Sequence, residues 1–174
     1  MAGKSGKQTI WDMVRSLAVI GIVVAAIYVF IPHDDSADPV RTVDYRVELI
    51  TARRAAPYPV AAPVGLADEW RATSVSYERK SGNAWHLGFL DPEGQYVAVE
   101  QSTELPRTYL PRVTQQAQKT EKTQQAGGQS WQVWEGEHYN ALVREDRGAT
   151  TVVTGTAPVQ QLAKVAGMLE AKKG

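Results

Sequence analysis

Residues 17–31 read LAVIGIVVAAIYVFI, fifteen positions in a row without a charge or a strongly polar side chain. No other stretch of the chain is as apolar. A helix rises about 1.5 Å per residue and a bilayer core is about 30 Å thick, so a span takes roughly 17–25 residues. Met13, Val14 and Ser16 make up the deficit on the N-terminal side. Arg15 can carry its guanidinium back to the headgroups on its own aliphatic stem. Trp11 and Tyr28 suit the interface, and Pro32 stops the helix. The run has no polar face, which argues against an amphipathic helix on a soluble core. The reading is a transmembrane helix over 13–31.

The competing reading is a cleaved signal peptide, whose apolar region of about 7–15 residues is followed by a small-x-small site. Pro32-His33-Asp34-Asp35-Ser36-Ala37 offers no convincing site, and the chain has no cysteine to carry a lipid. The sequence therefore favours an uncleaved signal-anchor. Lys4, Lys7 and Arg15 precede the span, and Asp34, Asp35 and Asp38 follow it. Positive charge stays on the cytoplasmic side. The expected layout is a cytoplasmic tail over 1–12, disordered at its start, the span, a polar linker over 32–39 and an extracytoplasmic domain over 40–174. The protein would sit in the cell membrane and face the cell envelope.

The chain holds 19 basic and 19 acidic residues. Setting aside Lys4, Lys7, Asp12 and Arg15 leaves the outer domain near −2, with no basic patch to attract nucleic acid. The absence of cysteine excludes disulfides, thiolate catalysis and cysteine-based metal sites.

The domain reads as α+β, an antiparallel sheet of two three-stranded meanders with helices packed on it. A short strand passes into a helix over about 46–55. Pro57, Pro59 and Pro63 make 56–66 an extended crossing, with Val60, Val64 and Leu66 pinned to the core. Three strands lie between Trp70 and Ser102. Trp85, Leu87 and Phe89 share one face of the middle strand, with His86 and Gly88 on the other. Asp91-Pro92-Glu93-Gly94 matches a type I turn. A short helix follows near 109–119, then a mobile loop to Gly127-Gly128. Three more strands run from Gln129 to Thr156. Thr156 would cap a last helix over 157–171, whose apolar face is Val159, Leu162, Ala166 and Leu169. Two meanders, each followed by a helix and about sixty residues apart, hint at a duplicated unit.

Three blocks of residues carry a family resemblance. The first joins the span to Ala55-Ala56-Pro57-Tyr58-Pro59-Val60, Pro63-Val64-Gly65-Leu66 and Trp70-Arg71-Ala72-Thr73-Ser74. The second is Trp85-His86-Leu87-Gly88-Phe89 with Tyr96-Val97 and Glu100-Gln101-Ser102. The third is Val152-Val153-Thr154-Gly155-Thr156-Ala157. In this order they resemble an uncharacterised family of single-pass membrane proteins of actinobacteria. The resemblance implies a topology and an actinobacterial envelope, and no activity.

No motif for catalysis stands out. The three histidines, His33, His86 and His138, lack the spacing of a zinc site, so a surface or half-buried position is expected for each. Asp91, Glu93, Glu100, Glu135 and Glu137 are the carboxylates that a cleft could pair, as a glycosidase does. Asp91 and Glu93 are already explained by the turn. There is no GxSxG or SxxK serine, and Gly127-Gly128 reads as a turn before a strand. Among Trp70, Trp85, Trp131, Trp134 and Tyr139, alternation points Trp131 to the core and Trp134 away. Trp134 then either lines a groove with His138 and Tyr139 or is covered by a helix, and the second is favoured. Gly21 and Ala25 give one small-xxx-small step in the span, weak support for helix pairing. The expectation is a non-enzymatic envelope binding module without metal or cofactor. Its partner would be an envelope protein or a glycan, not nucleic acid. The alternative is an envelope hydrolase using paired carboxylates.

Overall fold

The computed structural model describes residues 5–30, 41–146 and 148–174. It divides into two compact units, one holding the N-terminal helix and one from Val40 onward. The linker 32–39, with His33, lies outside the described residues.

The first unit contains α1, Ser5–Phe30. Its 19-residue stretch Ile10–Tyr28 has a mean hydropathy of 2.0 and no buried residue, enough in length and composition to cross a membrane. The helix begins earlier than expected. Residues 5–12 continue it rather than forming a disordered tail, since Lys7, Gln8 and Trp11 are tolerable helix formers once the apolar run has nucleated the turns.

The second unit is an α+β domain. In chain order its elements are α2 (Arg46–Ala55), β1 (Val60–Pro63), β2 (Arg71–Glu78), β3 (Ala84–Leu90), β4 (Tyr96–Ser102), α3 (Pro106–Val113), β5 (Gln118–Ala126), β6 (Gln129–Glu135), β7 (Asn140–Asp146), β8 (Ala149–Gly155), α4 (Val159–Gly167) and β9 (Leu169–Lys172). Among the described residues, seven strands form one antiparallel sheet in the order β2-β3-β4-β8-β7-β6-β5, and β1 pairs with β9. The pairing of β4 with β8 joins two meanders at the centre, Val99 opposite Val153. The order helix–strand–strand–strand–strand occurs twice, from α2 to β4 and from α3 to β8. This is not the expected unit of three strands and a helix, since β1 lies outside the large sheet and pairs with β9 while β5 lies in it.

One face of the sheet carries the main core. Trp85, Leu87 and Phe89 pack with Ala52 of α2 and with Tyr58 and Val60. Val97, Val99, Trp131, Val133, Leu142 and Val153 pack with Leu162, Val165 and Ala166 of α4. Both meanders thus turn their period-2 apolar rows to the same side. β1 is bolted across this face by side chains. The N–H of Ala61 donates to Gln101 Oε1 (2.7 Å), and its carbonyl accepts from Trp85 Nε1 (3.0 Å). A buried Gln101 is tolerated because Thr151 and Pro59 take its amide protons.

Several expectations change. Arg41–Tyr45 forms no strand, and its tie to the sheet is the Val43 N–H on the carbonyl of Ala72. Val64 is 53% exposed rather than pinned to the core. α3 ends at Val113, not near 119. The N–H groups of Thr114 and Gln116 close its end on the carbonyls of Leu110 and Pro111, and Gln115 and Gln116 leave the helix at positive φ. The expected loop to Gly127 is strand β5, so the second run has four strands. QKTEKTQQA shows no apolar alternation because β5 is an exposed edge that needs none. Thr156 does not cap α4; its hydroxyl accepts the N–H of Tyr96. α4 stops at Gly167, a poor helix former, and Leu169–Lys172 turns back as β9.

Candidate functional site

The second face of the sheet is divided. Over β7 and β8 it is apolar and covered by α3, where Tyr109 and Leu110 pack on Ala141, Val143 and Val152, with Trp134 beside them. Trp134 is therefore a helix-covered residue rather than a groove aromatic, and His138 beside it in sequence is exposed. Over β2, β3 and β4 the same face is polar. Among the described residues Glu100 is the one strongly buried carboxylate in it, 9% exposed.

Three adjacent strands bring three side chains into a row. Glu100 on β4 lies directly opposite His86 on β3. Ser74 on β2 stands one step diagonally from His86, opposite Gly88. Unbroken pairing from Glu78–Ala84 to Ser74–Gly88 sets Ser74 on this face, and the bulge just beyond it, between Ser74 and Ala72, puts Ala72 opposite Phe89 in the core. His86 Nδ1 lies 2.6 Å from Glu100 Oε1, and His86 Nε2 lies 2.7 Å from Ser74 Oγ. A carboxylate only accepts, so Nδ1 carries the proton and Nε2 of the neutral ring accepts from the Ser74 hydroxyl. Burial works against a charged imidazole. The hydrogen bond and the negative charge of Glu100 outweigh it and hold the His86 pKa above its ordinary 6.5. The His86 side chain remains 27% exposed, so the row is open to solvent.

Three tyrosines surround it. The Tyr96 hydroxyl hydrogen-bonds Ser74, and burial, with a contribution from Glu100, raises its pKa. Tyr139, ahead of β7, tilts against Tyr96 with ring centroids 6.1 Å apart. Tyr109 comes from α3. Its hydroxyl is buried without a hydrogen-bond partner among the described residues, and desolvation, then Glu100, pushes its pKa far up. Gly88 makes the cluster possible. A Cβ there would stand 2.5 Å from both Ser74 Oγ and the Tyr96 hydroxyl. Only a residue without a side chain lets the two hydroxyls meet above the sheet.

The other carboxylates named from sequence are engaged or dispersed. Asp91 accepts the N–H of Gln95, and Glu135 pairs with Lys122 at 2.9 Å. Glu93 and Glu137 are exposed. No group of three or more potential metal ligands occurs among the described residues. The larger hollows lie elsewhere, one of about 500 Å³ beside Lys122, Gln124 and Val159 and one of about 480 Å³ beside Asp44, Trp70 and Phe89. They bring no comparable set of bonded, titrating groups together.

A family model for proteins of unknown function, DUF4245, matches residues 6–169. The chain belongs to the DUF4245 family. The match takes in the whole span segment, the seven-stranded sheet and α4, so the Ser74–His86–Glu100 row lies inside the DUF4245 region. No curated protein matches the chain. DUF4245 membership brings no assigned chemistry, and the site rests on its geometry alone.

Proposed function

We propose that this is a single-pass, membrane-anchored envelope protein whose outer domain binds a glycan on the polar face of β2–β4. The observation that carries the reading is the Ser74–His86–Glu100 row with Tyr96 and Tyr139 at its edge, half exposed on a face whose other half is sealed by α3. Hydroxyl, imidazole and carboxylate offer the mixed donors and acceptors that sugar hydroxyls need. Tyrosine rings supply flat amphipathic area for the faces of sugar rings. The charge bias across the apolar run favours an outer domain, and a domain so placed meets polysaccharide before other polymers.

The test is co-sedimentation of the detergent-solubilised full chain with purified peptidoglycan sacculi. The wild type is expected in the pellet, and Tyr96→Phe and His86→Ala in the supernatant. Equal pelleting of all three, or none by any, overturns the reading; selective retention by an envelope protein instead points to a protein partner.

A further inference from the structure

We propose that Ser74 is an acyl-transfer nucleophile acting on O-acyl esters of a polyhydroxylated ligand, with His86 as its general base and Glu100 as the group that orients His86. This rests on the reading of the same face as the ligand site, and goes beyond it by assigning a reaction.

The geometry has the three links that a serine nucleophile needs. A base nitrogen sits 2.7 Å from the hydroxyl oxygen, and the opposite ring nitrogen is held 2.6 Å from a carboxylate. Nucleophile–base and base–orienter bonds of this length mark an activated serine wherever they occur, whatever the fold and the order along the chain. Each link comes from a different strand of a rigid sheet, so packing fixes the row instead of a mobile loop. Glu100 is nearly buried and His86 and Ser74 are half exposed, so the orienting end is dry and the reacting end is open. Tyr96 adds a phenol hydroxyl beside Ser74 Oγ, able to donate to a developing oxyanion.

The step balances without a co-reactant other than water. Ser74 Oγ attacks the ester carbonyl, and its proton passes to His86 Nε2. The carbonyl carbon–alkoxide bond breaks, and the alkoxide leaves with that proton as the free sugar hydroxyl. Water then attacks the seryl ester, His86 takes its proton and returns one to Ser74 Oγ, and the carboxylic acid departs. The groups facing His86 are Glu100 from β4, Ser74 from β2, and the neutral phenols Tyr96, Tyr139 and Tyr109. Reactivity should therefore follow the deprotonation of His86 and rise above pH 6.5.

The full chain in detergent is treated with an alkyl fluorophosphonate and digested with trypsin. Adduct on Ser74, within the peptide Ala72–Arg79, is the expected result. The labelling rate should fall about 10²-fold or more in His86→Ala, and also in His86→Gln should the alanine variant misfold. Glu100→Gln should lose less, and p-nitrophenyl acetate turnover should follow the same order. An adduct elsewhere, or labelling that His86 variants leave unchanged, overturns the proposal. Sacculus binding that persists with no Ser74 adduct sinks the acyl transfer and leaves the glycan site standing. Ser74 adduct without sacculus binding does the reverse.

Discussion

Gly88→Ala is the sharpest test of the cluster. Gly88 lies in the middle of β3 and is not among the positive-φ glycines, so its backbone accepts any residue. The new methyl is the difficulty. It would lie 2.5 Å from Ser74 Oγ, 2.5 Å from the Tyr96 hydroxyl and 3.0 Å from Tyr96 Cε2. Both side chains must swing away. That breaks two hydrogen bonds, Ser74 to His86 and Tyr96 to Ser74, at about 1 kcal/mol each. Holding either side chain off its rotamer adds about 1 kcal/mol. Against this, alanine in a strand interior recovers about 0.5–1 kcal/mol of glycine's entropic cost. The net is a destabilisation of about 2 kcal/mol.

Urea unfolding of the domain cut at residue 41, whose core is internal to it, measures this. With a slope near 2 kcal/mol per M, the midpoint should fall by about 1 M. Ser74→Ala removes one of the two obstacles and both of the bonds, since each involves the Ser74 hydroxyl. The double variant should therefore cost about 2 kcal/mol less than the sum of the singles. Imidazole resonances of His86 should shift in Gly88→Ala as Nε2 loses its partner. An unchanged midpoint with unchanged His86 resonances refutes the description of hydroxyls meeting over a glycine.

The remaining predictions follow from the same structure. The His86 pKa is raised by folding, so the stability it contributes is complete below 6.5 and is lost as pH rises through the folded-state value. The gap in unfolding midpoint between wild type and His86→Gln should be widest in mild acid and narrow toward alkaline pH; a gap independent of pH contradicts the ion pair. Tyr109→Phe deletes a buried hydroxyl without a partner among the described residues, so it should be neutral or stabilising by up to about 1 kcal/mol in urea. A loss above about 1 kcal/mol would show that the hydroxyl is bonded. Intact-mass measurement of protein extracted from membranes should find Leu17–Ile31 retained, and a mature chain starting beyond Ile31 refutes the anchor.

The parts of the fold legible in the sequence are those fixed by short-range chemistry. Asp91-Pro92-Glu93-Gly94 is a turn because Pro92 presets φ and Gly94 accepts +77°, and its bond from Gly94 N–H to the Asp91 carbonyl is 3.0 Å. The alternation of Trp85, Leu87 and Phe89 and the helix at 46–55 are equally local. The parts that were not legible depend on partners distant in sequence. β9 is a strand because β1 offers it an edge, and Leu169 would extend the apolar face of α4 equally well. β5 exists because β6 has a free edge, and its first eight residues, all polar, carry no trace of that.

The Ser74–His86–Glu100 row falls between these cases. Motif spacing misses it, because the three residues belong to three strands and no fixed interval joins them. Yet half of it was within reach. A type I turn closed by a left-handed glycine is the three-residue hairpin loop, which pairs the residues flanking it. Here those are Asp91 and Gln95, joined at 3.0 Å. Counting back from that pair in antiparallel register sets Leu90 against Tyr96 and His86 against Glu100, as the sheet does. Turn chemistry thus places an imidazole beside a carboxylate on the face opposite Trp85. The serine could not be placed the same way, because the five-residue connection 79–83 has no set flanking pair, so the register that puts Ser76 against His86 and Ser74 against Gly88 does not follow from it. A functional row built across strands is legible only as far as the register of each hairpin is, and one connection of unfixed geometry is enough to hide its last member.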